Sequence, residues 1–411
     1  MSRLVLANAN VVDGINPSVA GQTVVIDGER ITSVGTAPIP AQDGDHVIDL
    51  AGKSVMPGMA LCHFHSTYAN VGLGAPYGCE YPPSYQALVS HKNLMCALTH
   101  GFTTIVSAGA TRDIEPGVKQ AIEEGLLPGP RLTAAGRELS TTGHANEAGT
   151  PWHWNLPELG AARSCDGPDG FRFAVRDEVK KGVEIIKLFA TGGHGVPGSK
   201  DRMEMTREEF AAAIDTAHSR GVLARGHLAG KKPIMTAIEL GIDIVDHCDD
   251  MDDEVIAALA ETGTFVVPSV VYPKAISGLM EQFQPGSSQG INESLAFMYD
   301  ALPKAQAAGV RILLGDDYGG PGLNHGEYGK ELHTYVEDVG MPPLTVIGWA
   351  TRNAAVLLDR ADDLGAVEPG KIADLLIVER DPSIDISAVA DAPPIAVIKG
   401  GELIVGTLEA A

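Results

Sequence analysis

The sequence predicts an α/β protein in which a (β/α)8 barrel, the TIM-barrel fold, is joined to a small discontinuous β-sandwich formed by both termini. Three observations predict this fold. Both ends of the chain are rich in short strand patterns, the middle alternates between strand and helix patterns, and histidines stand at the carboxyl ends of several middle strands. We therefore expect the β-sandwich at residues 1–56 and 359–411 and the barrel at 57–358.

Turn signals separate the strand patterns at both ends of the chain. Near the start, runs of β-forming residues flank Asp27-Gly28, and aspartate followed by glycine between such runs is a strong hairpin signal. Near the far end, residues 373–378, 395–398 and 403–405 form similar runs. A strand-rich head and tail around a different middle predict one β domain that contains both termini.

The middle of the chain alternates between strand and helix patterns. The clearest helix follows Thr206, because Thr206 and Glu209 match a capping box and Gly221 is a stop signal. Eight strands separated by helices fit a barrel whose active site lies at the carboxyl ends of its strands. The predicted strands lie near residues 60–62, 103–106, 131–134, 185–189, 222–226, 244–246, 265–268 and 311–315.

Composition limits the partners and the compartment. The chain has 30 basic and 53 acidic residues, a formal charge of −23, which repels nucleic acids and anionic membranes. Its five cysteines are an odd number without a Cys-x-x-Cys motif, which is typical of reduced thiols. No signal-like apolar core begins the chain, and no apolar stretch reaches the roughly 18 residues of a membrane span. We expect a cytoplasmic homo-oligomer that acts on a small molecule.

Side chains that can bind a metal ion stand at the ends of the predicted strands. His63 and His65, one residue apart, share a face of the first strand and could hold one ion together. A single histidine in such a place is more often structural. Several of them, each at the end of its own strand and facing one barrel mouth, predict a metal site made of His63, His65, Lys187, His227, His247 and Asp317.

These motifs and their spacing resemble those of the amidohydrolase superfamily along nearly the whole chain. The resemblance is closest to the branch that contains prolidase-like dipeptidases, the ochratoxin-cleaving hydrolase and related amide and carbamate hydrolases. It rests on the histidine pair, on His227 and His247 twenty positions apart, and on residues 55–58, 186–193, 314–317, 350–355 and 365–375.

The resemblance implies a binuclear centre that usually contains zinc. By this analogy His63, His65 and Asp317 bind one ion, His227 and His247 bind the other, and Lys187, carboxylated by CO2, bridges the two. The chemistry is reasonable, because burial favours the neutral form of an amine, and a neutral amine can react with CO2. The alternative for Lys187 is an unmodified lysine paired with a buried carboxylate.

Such a centre implies a hydrolytic mechanism. A water that bridges two cations loses a proton near neutral pH, one ion polarises the substrate carbonyl, and the hydroxide attacks it. Asp317 would take the proton of the water and pass it to the leaving amine. Its neighbour Asp316 stands where relatives usually have a small threonine or serine, and we expect its side chain to face away.

Substrate-binding residues are harder to predict. Arg225 lies on the same inward face as His227, where we expect a buried partner of Asp243 or Asp317, or an anchor for a substrate carboxylate. Relatives of the prolidase type often have a tyrosine at the position of Ala229, and its absence weakens the dipeptidase hypothesis. Other candidate substrate contacts lie on long loops near the predicted mouth, although each alone is more often a packing residue: Tyr68, His144, His194, Trp152 and Trp154.

The predicted function is hydrolysis of a carbon–nitrogen bond of the amide type, in an amide, peptide, carbamate or urea. Two further classes stay open. A heterocycle deaminase on the same barrel uses the same histidines and aspartate but one ion and no strand-four lysine. A non-catalytic protein of the same fold would be expected to lose ligands, and this chain retains all of them.

Overall fold

The fold is described from a computed structural model for residues 3–37, 42–69, 78, 79, 81–144, 153, 160–196, 198–283, 286 and 288–408. The chain divides into two compact units. The first contains Met1–Ala60, Cys96–Thr104 and Tyr328–Ala411, and the second contains Leu61–Met95 and Ile105–Glu327.

One eight-stranded sheet dominates the first unit, in the order β18-β17-β16-β5-β1-β2-β3, with β4 paired to β1. The antiparallel pairing of β16 with β5 brings strands from both ends of the chain into this sheet. Gly28, at φ +58°, forms the predicted turn between β2 and β3. The strands are β1 (Leu4–Val11), β2 (Val19–Asp27), β3 (Arg30–Gly35), β4 (His46–Asp49), β5 (Ser54–Pro57), β16 (Leu375–Val378), β17 (Ala396–Lys399) and β18 (Glu402–Gly406).

The other strands form two sheets. A seven-stranded sheet has the order β10-β9-β11-β12-β13-β14-β15, and every pairing in it is parallel. A three-stranded sheet has the order β6-β7-β8. The strands are β6 (Met59–Leu61), β7 (Phe102–Val106), β8 (Arg131–Thr133), β9 (Glu138–Ser140), β10 (Ala162–Ser164), β11 (Ile185–Phe189), β12 (Leu223–Leu228), β13 (Ile244–His247), β14 (Phe265–Val267) and β15 (Arg311–Ile312).

Each of the eight predicted middle segments contains a strand, but the structure has two more. Strands β9 and β10 are three residues long and carry Glu138 and Arg163, so they lack the long apolar pattern that predicts a buried strand. Strand β15 is shorter than predicted. Beyond it the chain approaches His63 instead, and the Asp316 N–H donates to the His63 carbonyl oxygen at 3.1 Å.

Helices follow most strands of the second unit, and none of the described helices is long and apolar enough to cross a membrane. Their bounds are α1 (Pro83–Thr99), α2 (Ile114–Glu123), α3 (Gly167–Lys180), α4 (Arg207–Ser219), α5 (Lys231–Glu239), α6 (Asp253–Thr262), α7 (Val271–Phe283), α8 (Gln289–Ala307), α9 (Gly329–His333), α10 (Pro343–Ala350), α11 (Arg352–Leu357) and α12 (Ser387–Ala390), with a π-helical turn at Thr334–Asp338.

Helix α4 begins with the predicted capping box. The Glu209 N–H donates to Thr206 Oγ1 at 3.2 Å, and the Thr206 N–H donates to Glu209 Oε2 at 2.7 Å. Glu209 also accepts the N–H of Gly167, at the start of α3, at 2.7 Å. The cap therefore holds the amino ends of two helices, α3 and α4, that are consecutive along the chain.

Removal of this cap tests its contribution to stability. We expect Thr206→Ala to lower the free energy of unfolding by about 1 kcal/mol, because an amide at the helix start loses its acceptor. Thr236→Ala, within α5, is the control. The Thr236 hydroxyl donates a hydrogen bond to the Lys232 carbonyl oxygen in the same helix, so its removal leaves no amide without an acceptor. Alanine also has a higher helix propensity than threonine. Urea unfolding followed by circular dichroism measures both variants, and equal stabilities would contradict the prediction.

Candidate metal centre

Three predicted ligands meet at the carboxyl ends of the first and last strands of the second unit. His63 Nε2 lies 3.0 Å from Asp317 Oδ1, His65 Nε2 lies 3.2 Å from the same oxygen, and the two nitrogens are 3.2 Å apart. Ligands about 2.0–2.2 Å from a tetrahedral zinc ion stand about 3.3 Å from one another. The three donors therefore fit around one ion.

Other contacts orient the two imidazoles. His65 Nδ1 lies 2.9 Å from the Gly109 carbonyl oxygen, and His63 Nδ1 lies 3.1 Å from Asp246 Oδ1. Arg225 Nη2 also lies 3.3 Å from His63 Nδ1. A ring that donates Nδ1–H to an oxygen presents the Nε2 lone pair to an ion.

A second pair of donors comes from neighbouring parallel strands. The rings of His227, in β12, and His247, in β13, have centroids 4.4 Å apart. His227 Nε2 and His247 Nδ1 are buried and have no hydrogen-bond partner in the described part of the chain. Burial lowers the pKa of both rings well below the usual range, so they are neutral. Buried polar atoms without partners cost about 1–3 kcal/mol each, and a metal ion would satisfy them.

Asp317 faces the open side of this cluster. Its side chain is 19% exposed, whereas those of His63 and His65 are 0% and 3% exposed. Burial opposes ionisation, but His63 and His65 outweigh it and hold the pKa of Asp317 well below its usual range. An ionised carboxylate that reaches the cavity can bind a cation and can also accept a proton from a neighbouring water.

Lys187 lies in the same cavity, and its amine is paired. Its Nζ donates to Asp246 Oδ2 at 2.6 Å, and both side chains are buried. This contact is the one expected for an unmodified lysine. The cavity has a volume of about 90 Å³ and is lined by His65, Tyr68, Glu138, Lys187, Phe189, His194, Gly195, Val196, His227, His247, Tyr272, Asp317, Gly320 and Pro321.

The prediction for the partner of Arg225 was wrong. Arg225 is completely buried and binds Asp246 through both Nε, at 3.0 Å, and Nη2, while Nη1 donates to the Ser107 carbonyl oxygen at 2.8 Å. Asp243 instead accepts the Ala224 N–H at 2.7 Å. Asp246 is the partner because Arg225 stands opposite Ile244 in the parallel ladder, and Asp246 shares the face of Ile244. Arg225 does not line the cavity.

Asp316 faces away from the histidines, as the sequence predicted. Its carboxylate accepts the N–H groups of Val271 at 2.7 Å, Tyr272 at 3.2 Å and Asp317 at 2.8 Å. Burial and the adjacent Asp317 charge raise the pKa of Asp316 to about 7. Asp316 therefore anchors the start of helix α7 next to the cavity.

The sequence did not predict two carboxylates of the site. Glu138, in β9, is buried in the cavity wall, where it accepts the Tyr68 hydroxyl at 2.7 Å and lies 3.9 Å from His65 Nδ1. Burial raises the pKa of Glu138. Asp246 is the other, and its position one residue before His247 was the available signal. For Glu138 the only signal was an acidic residue shortly after a predicted strand.

The candidate substrate residues lie in different surroundings. Tyr68 stacks on His65, with ring centroids 4.3 Å apart and planes 5° apart. His194 stacks on His247 at 3.9 Å, and its two nitrogens lie 2.7 Å from Asp249 Oδ1 and 3.0 Å from the Ser269 carbonyl oxygen. His144 is buried beside Phe189 but does not line the cavity. Trp152 and Trp154 lie outside the described residues.

Because both neighbours of His194 are acceptors, both of its ring nitrogens carry hydrogen. Burial works against this cation, but Asp249 outweighs burial and raises the pKa of His194. His194 therefore has no lone pair to offer to a metal ion. It forms a wall of the cavity against the outer face of His247.

Comparisons with known proteins agree with this geometry. The sequence profile of the Amidohydrolase family matches residues 54–404. Ochratoxinase of Aspergillus niger is 30% identical over 389 residues, which cover 86% of this chain and 76% of that protein. Imidazolonepropionase of Cutibacterium acnes is 27% identical over 373 residues, which cover 86% of this chain and 82% of that protein.

Solved structures give the same result. A prolidase complexed with N-methylphosphonate-L-proline superposes with a TM-score of 0.87 at 30% identity and covers 99% of this chain and 100% of its own. The crystal structure of A. niger ochratoxinase superposes with a TM-score of 0.87 at 25% identity and covers 98% of this chain and 96% of its own. This chain is therefore a hydrolytic enzyme and belongs to the amidohydrolase family.

Proposed function

We propose that this enzyme hydrolyses a carbon–nitrogen bond of the amide type in a small molecule and uses two divalent metal ions. The observation that carries the proposal is the closeness of two groups of metal-binding donors, in which atoms of His63, His247 and Asp317 lie within 4.8 Å of one another. Three donors of His63, His65 and Asp317 stand within 3.2 Å of one another, and two unpartnered nitrogens of His227 and His247 lie beside them.

We propose that the strands of the second unit close into a (β/α)8 barrel at residues 57–358, and that residues 1–56 and 359–411 form the β-sandwich. Backbone contacts between the first and last strands support closure. The Cys62 N–H donates to the Leu314 carbonyl oxygen at 2.6 Å. The isolated pairing of Ala135 with Ile185 supports continuity between the third and fourth predicted strands.

In this proposal His63, His65 and Asp317 hold one ion, His227 and His247 hold the other, and carboxylated Lys187 lies between them. Zinc is the expected metal, because imidazole and carboxylate ligands suit it. Carboxylation would turn Lys187 from a cation into an anion beside Asp246. Arg225, which binds Asp246 through two nitrogens, would still balance the charge of that carboxylate.

The ions, when bound, supply a water of lowered pKa and polarise the substrate carbonyl. The protein then moves the proton. Asp317 is the partly exposed carboxylate of the cluster, so it can take the proton of the attacking water and return it to the leaving nitrogen. Asp246 keeps His63 in its orientation while the charge in the cavity changes.

Two alternatives stay open. In a deaminase with a single ion, Lys187 would serve as the charge partner of Asp246. A prolidase-like dipeptidase is supported by the similarity to the prolidase structure, although Ala229 stands where that type often has a tyrosine. The metal content per chain separates the deaminase, and activity on Xaa-Pro dipeptides compared with N-acyl amides separates the dipeptidase.

We also propose that the enzyme is cytoplasmic, which the odd number of cysteines in the sequence and the lack of a Cys-x-x-Cys motif support. The homo-oligomer expected from the sequence is a separate proposal that sedimentation in solution would test.

The close approach of Gly315 to the first strand gives a test of the metal site that changes no ligand. A Cβ at Gly315 would lie 2.1 Å from the His63 backbone nitrogen. We therefore expect Gly315→Ala to displace His63 and to lower metal affinity by at least tenfold, about the loss caused by disturbing ligand orientation. Gly278→Ala, in α7, is the control, because its Cβ meets no described atom within 4 Å. Metal titration with a competing chelator measures the metal affinity of both variants. Equal metal affinities would contradict the prediction.

Asp317 has two proposed roles, so its substitution should affect two measurements. We expect Asp317→Asn to lower turnover by about 10² or more, because a proton acceptor and a ligand are lost together, and to weaken metal binding. Asp316→Asn should retain the metal, because that carboxylate faces the amides of Val271 and Tyr272. Metal loss in Asp316→Asn and not in Asp317→Asn would show that the roles are reversed.

Substitution of Lys187 tests whether the enzyme binds two metal ions or one. We expect the purified enzyme to hold close to two divalent ions per chain and to lose activity with a chelator. Lys187→Ala should lose the paired binding of the ions and the activity, and a short carboxylic acid should restore part of both. Lys187→Arg should also fail, because a guanidinium does not react with CO2. Lys119→Ala, which removes a partly exposed lysine paired with Glu184, is the control.

Mass spectrometry of the intact metal-loaded enzyme should detect a CO2 adduct on Lys187. Fully loaded, active enzyme with an unmodified Lys187 amine would contradict the bridge. One tightly bound ion per chain with full activity would favour the deaminase.

A further inference from the structure

A second, larger cavity lies next to the metal cavity, and its function is not explained by the metal centre. We call it the side cavity. It has a volume of about 510 Å³ and is lined by Gly193, His194, Gly195, Val196, Gly198, Lys200, Asp249, Pro273, Met280, Gly290, Ile291, Ser294, Leu295 and Met298. We propose that the side cavity binds a long apolar substituent of the substrate whose amide bond lies at the metal centre. This inference rests on the proposed function.

The side cavity adjoins the metal cavity. His194, Gly195 and Val196 line both of them. Gly195 packs closely against Tyr272, because a Cβ there would lie 3.1 Å from Tyr272 Cε1. A ligand whose amide lies at the metal centre therefore needs only to cross this three-residue segment to reach the side cavity.

Size and lining indicate what the ligand carries. The metal cavity, about 90 Å³, is small beside the side cavity, whose 510 Å³ is within the range of about 300–1,000 Å³ found for small-molecule sites. Leu295 and Met298, in α8, are buried, and Met280 and Ile291 complete an apolar wall. Flexible methionine side chains adapt to apolar groups of different shapes.

Charge complementarity argues against an ionic group in the side cavity. Asp249 is bound to His194 at 2.7 Å and accepts the Ser294 hydroxyl at 3.3 Å. Lys200 Nζ donates to Asp250 at 2.7 Å. Each charged lining residue of the described chain thus already has an opposite or polar partner, and an incoming ion would gain no free counter-charge. An uncharged alkyl or aryl group needs no counter-charge, so the pairing of Asp249 and Lys200 does not weaken its binding.

Two substrate series test the proposal and identify which side of the amide enters the side cavity. In the first, N-acylglycines carry acyl chains from acetyl to octanoyl. In the second, acetamides carry n-alkyl chains from ethyl to octyl on nitrogen. We expect kcat/KM to rise about fourfold for each added methylene in one series, because each methylene leaves water for an apolar wall.

Gly290→Phe provides the matching variant. Gly290 lines the side cavity, and a Cβ there meets no described atom within 4 Å, so a large side chain can be introduced at this position. We expect the variant to keep its activity on the acetyl compounds and to lose the gain with chain length. Gly278→Phe, in α7 and outside both cavities, is the control and should retain the gain.

Binding measured without turnover separates failure of this proposal from failure of the proposed function. Calorimetric titration of chelator-treated protein with octanoate and with octylamine should detect binding of one of them, weakened at least tenfold by Gly290→Phe. Binding without any chelator-sensitive hydrolysis would remove the proposed function and leave the side cavity as an apolar site. Hydrolysis of the acetyl compounds with no dependence on chain length in either series would overturn the proposal. Octyl compounds that bind but do not compete with short substrates would also overturn it, because the side cavity would then serve a separate ligand.

Discussion

The candidate metal centre depends on the contacts of one buried carboxylate, that of Asp246. This carboxylate binds the amine of Lys187, two nitrogens of Arg225 and one nitrogen of His63, and all four side chains are almost inaccessible to water. Removing one partner of a buried ion pair costs about 3–5 kcal/mol, because the remaining charge has no water to solvate it. The charge of Asp246 therefore holds together Lys187 of β11, His63 after β6, and strand β13.

Residues with positive φ angles cluster around His227 and His247, the second pair of proposed metal ligands. His194, His247, Cys248 and Ser269 all have positive φ angles, between 51° and 73°. Such conformations cost about 1–3 kcal/mol for residues other than glycine, and they persist where surrounding contacts determine them. The contacts are visible here: the His194 ring lies on His247 and reaches both Asp249 and the Ser269 carbonyl oxygen. Regular alternation would place His247 on the face opposite His227, because Asp246 is the ladder partner of His227. The φ of 73° at His247 departs from the regular strand, and its ring lies 4.4 Å from the His227 ring.

The segment that contains His194 contacts both the candidate metal site and the side cavity. His194 supports a proposed metal ligand on one side and lines the side cavity on the other. Glu138 and Tyr68 form the opposite wall, next to His65. A substrate at the metal centre would therefore touch residues that also orient the ligands.

The sequence by itself determined the residue types that could bind metal and the strands that carry them. Carboxyl ends of parallel strands meet at one edge, so the ends of β12 and β13, which carry His227 and His247, had to become neighbours once these strands paired. The capping box of α4 and the turn at Gly28 were also local and followed from adjacent residues. Tertiary structure decided which carboxylate pairs with Arg225 and Lys187. It also decided that Glu138 enters the cavity wall and that a second cavity opens beside the first. These features depend on contacts between residues distant in the chain, such as His63 and Asp246, whose partners are selected by packing and burial and not by a local pattern.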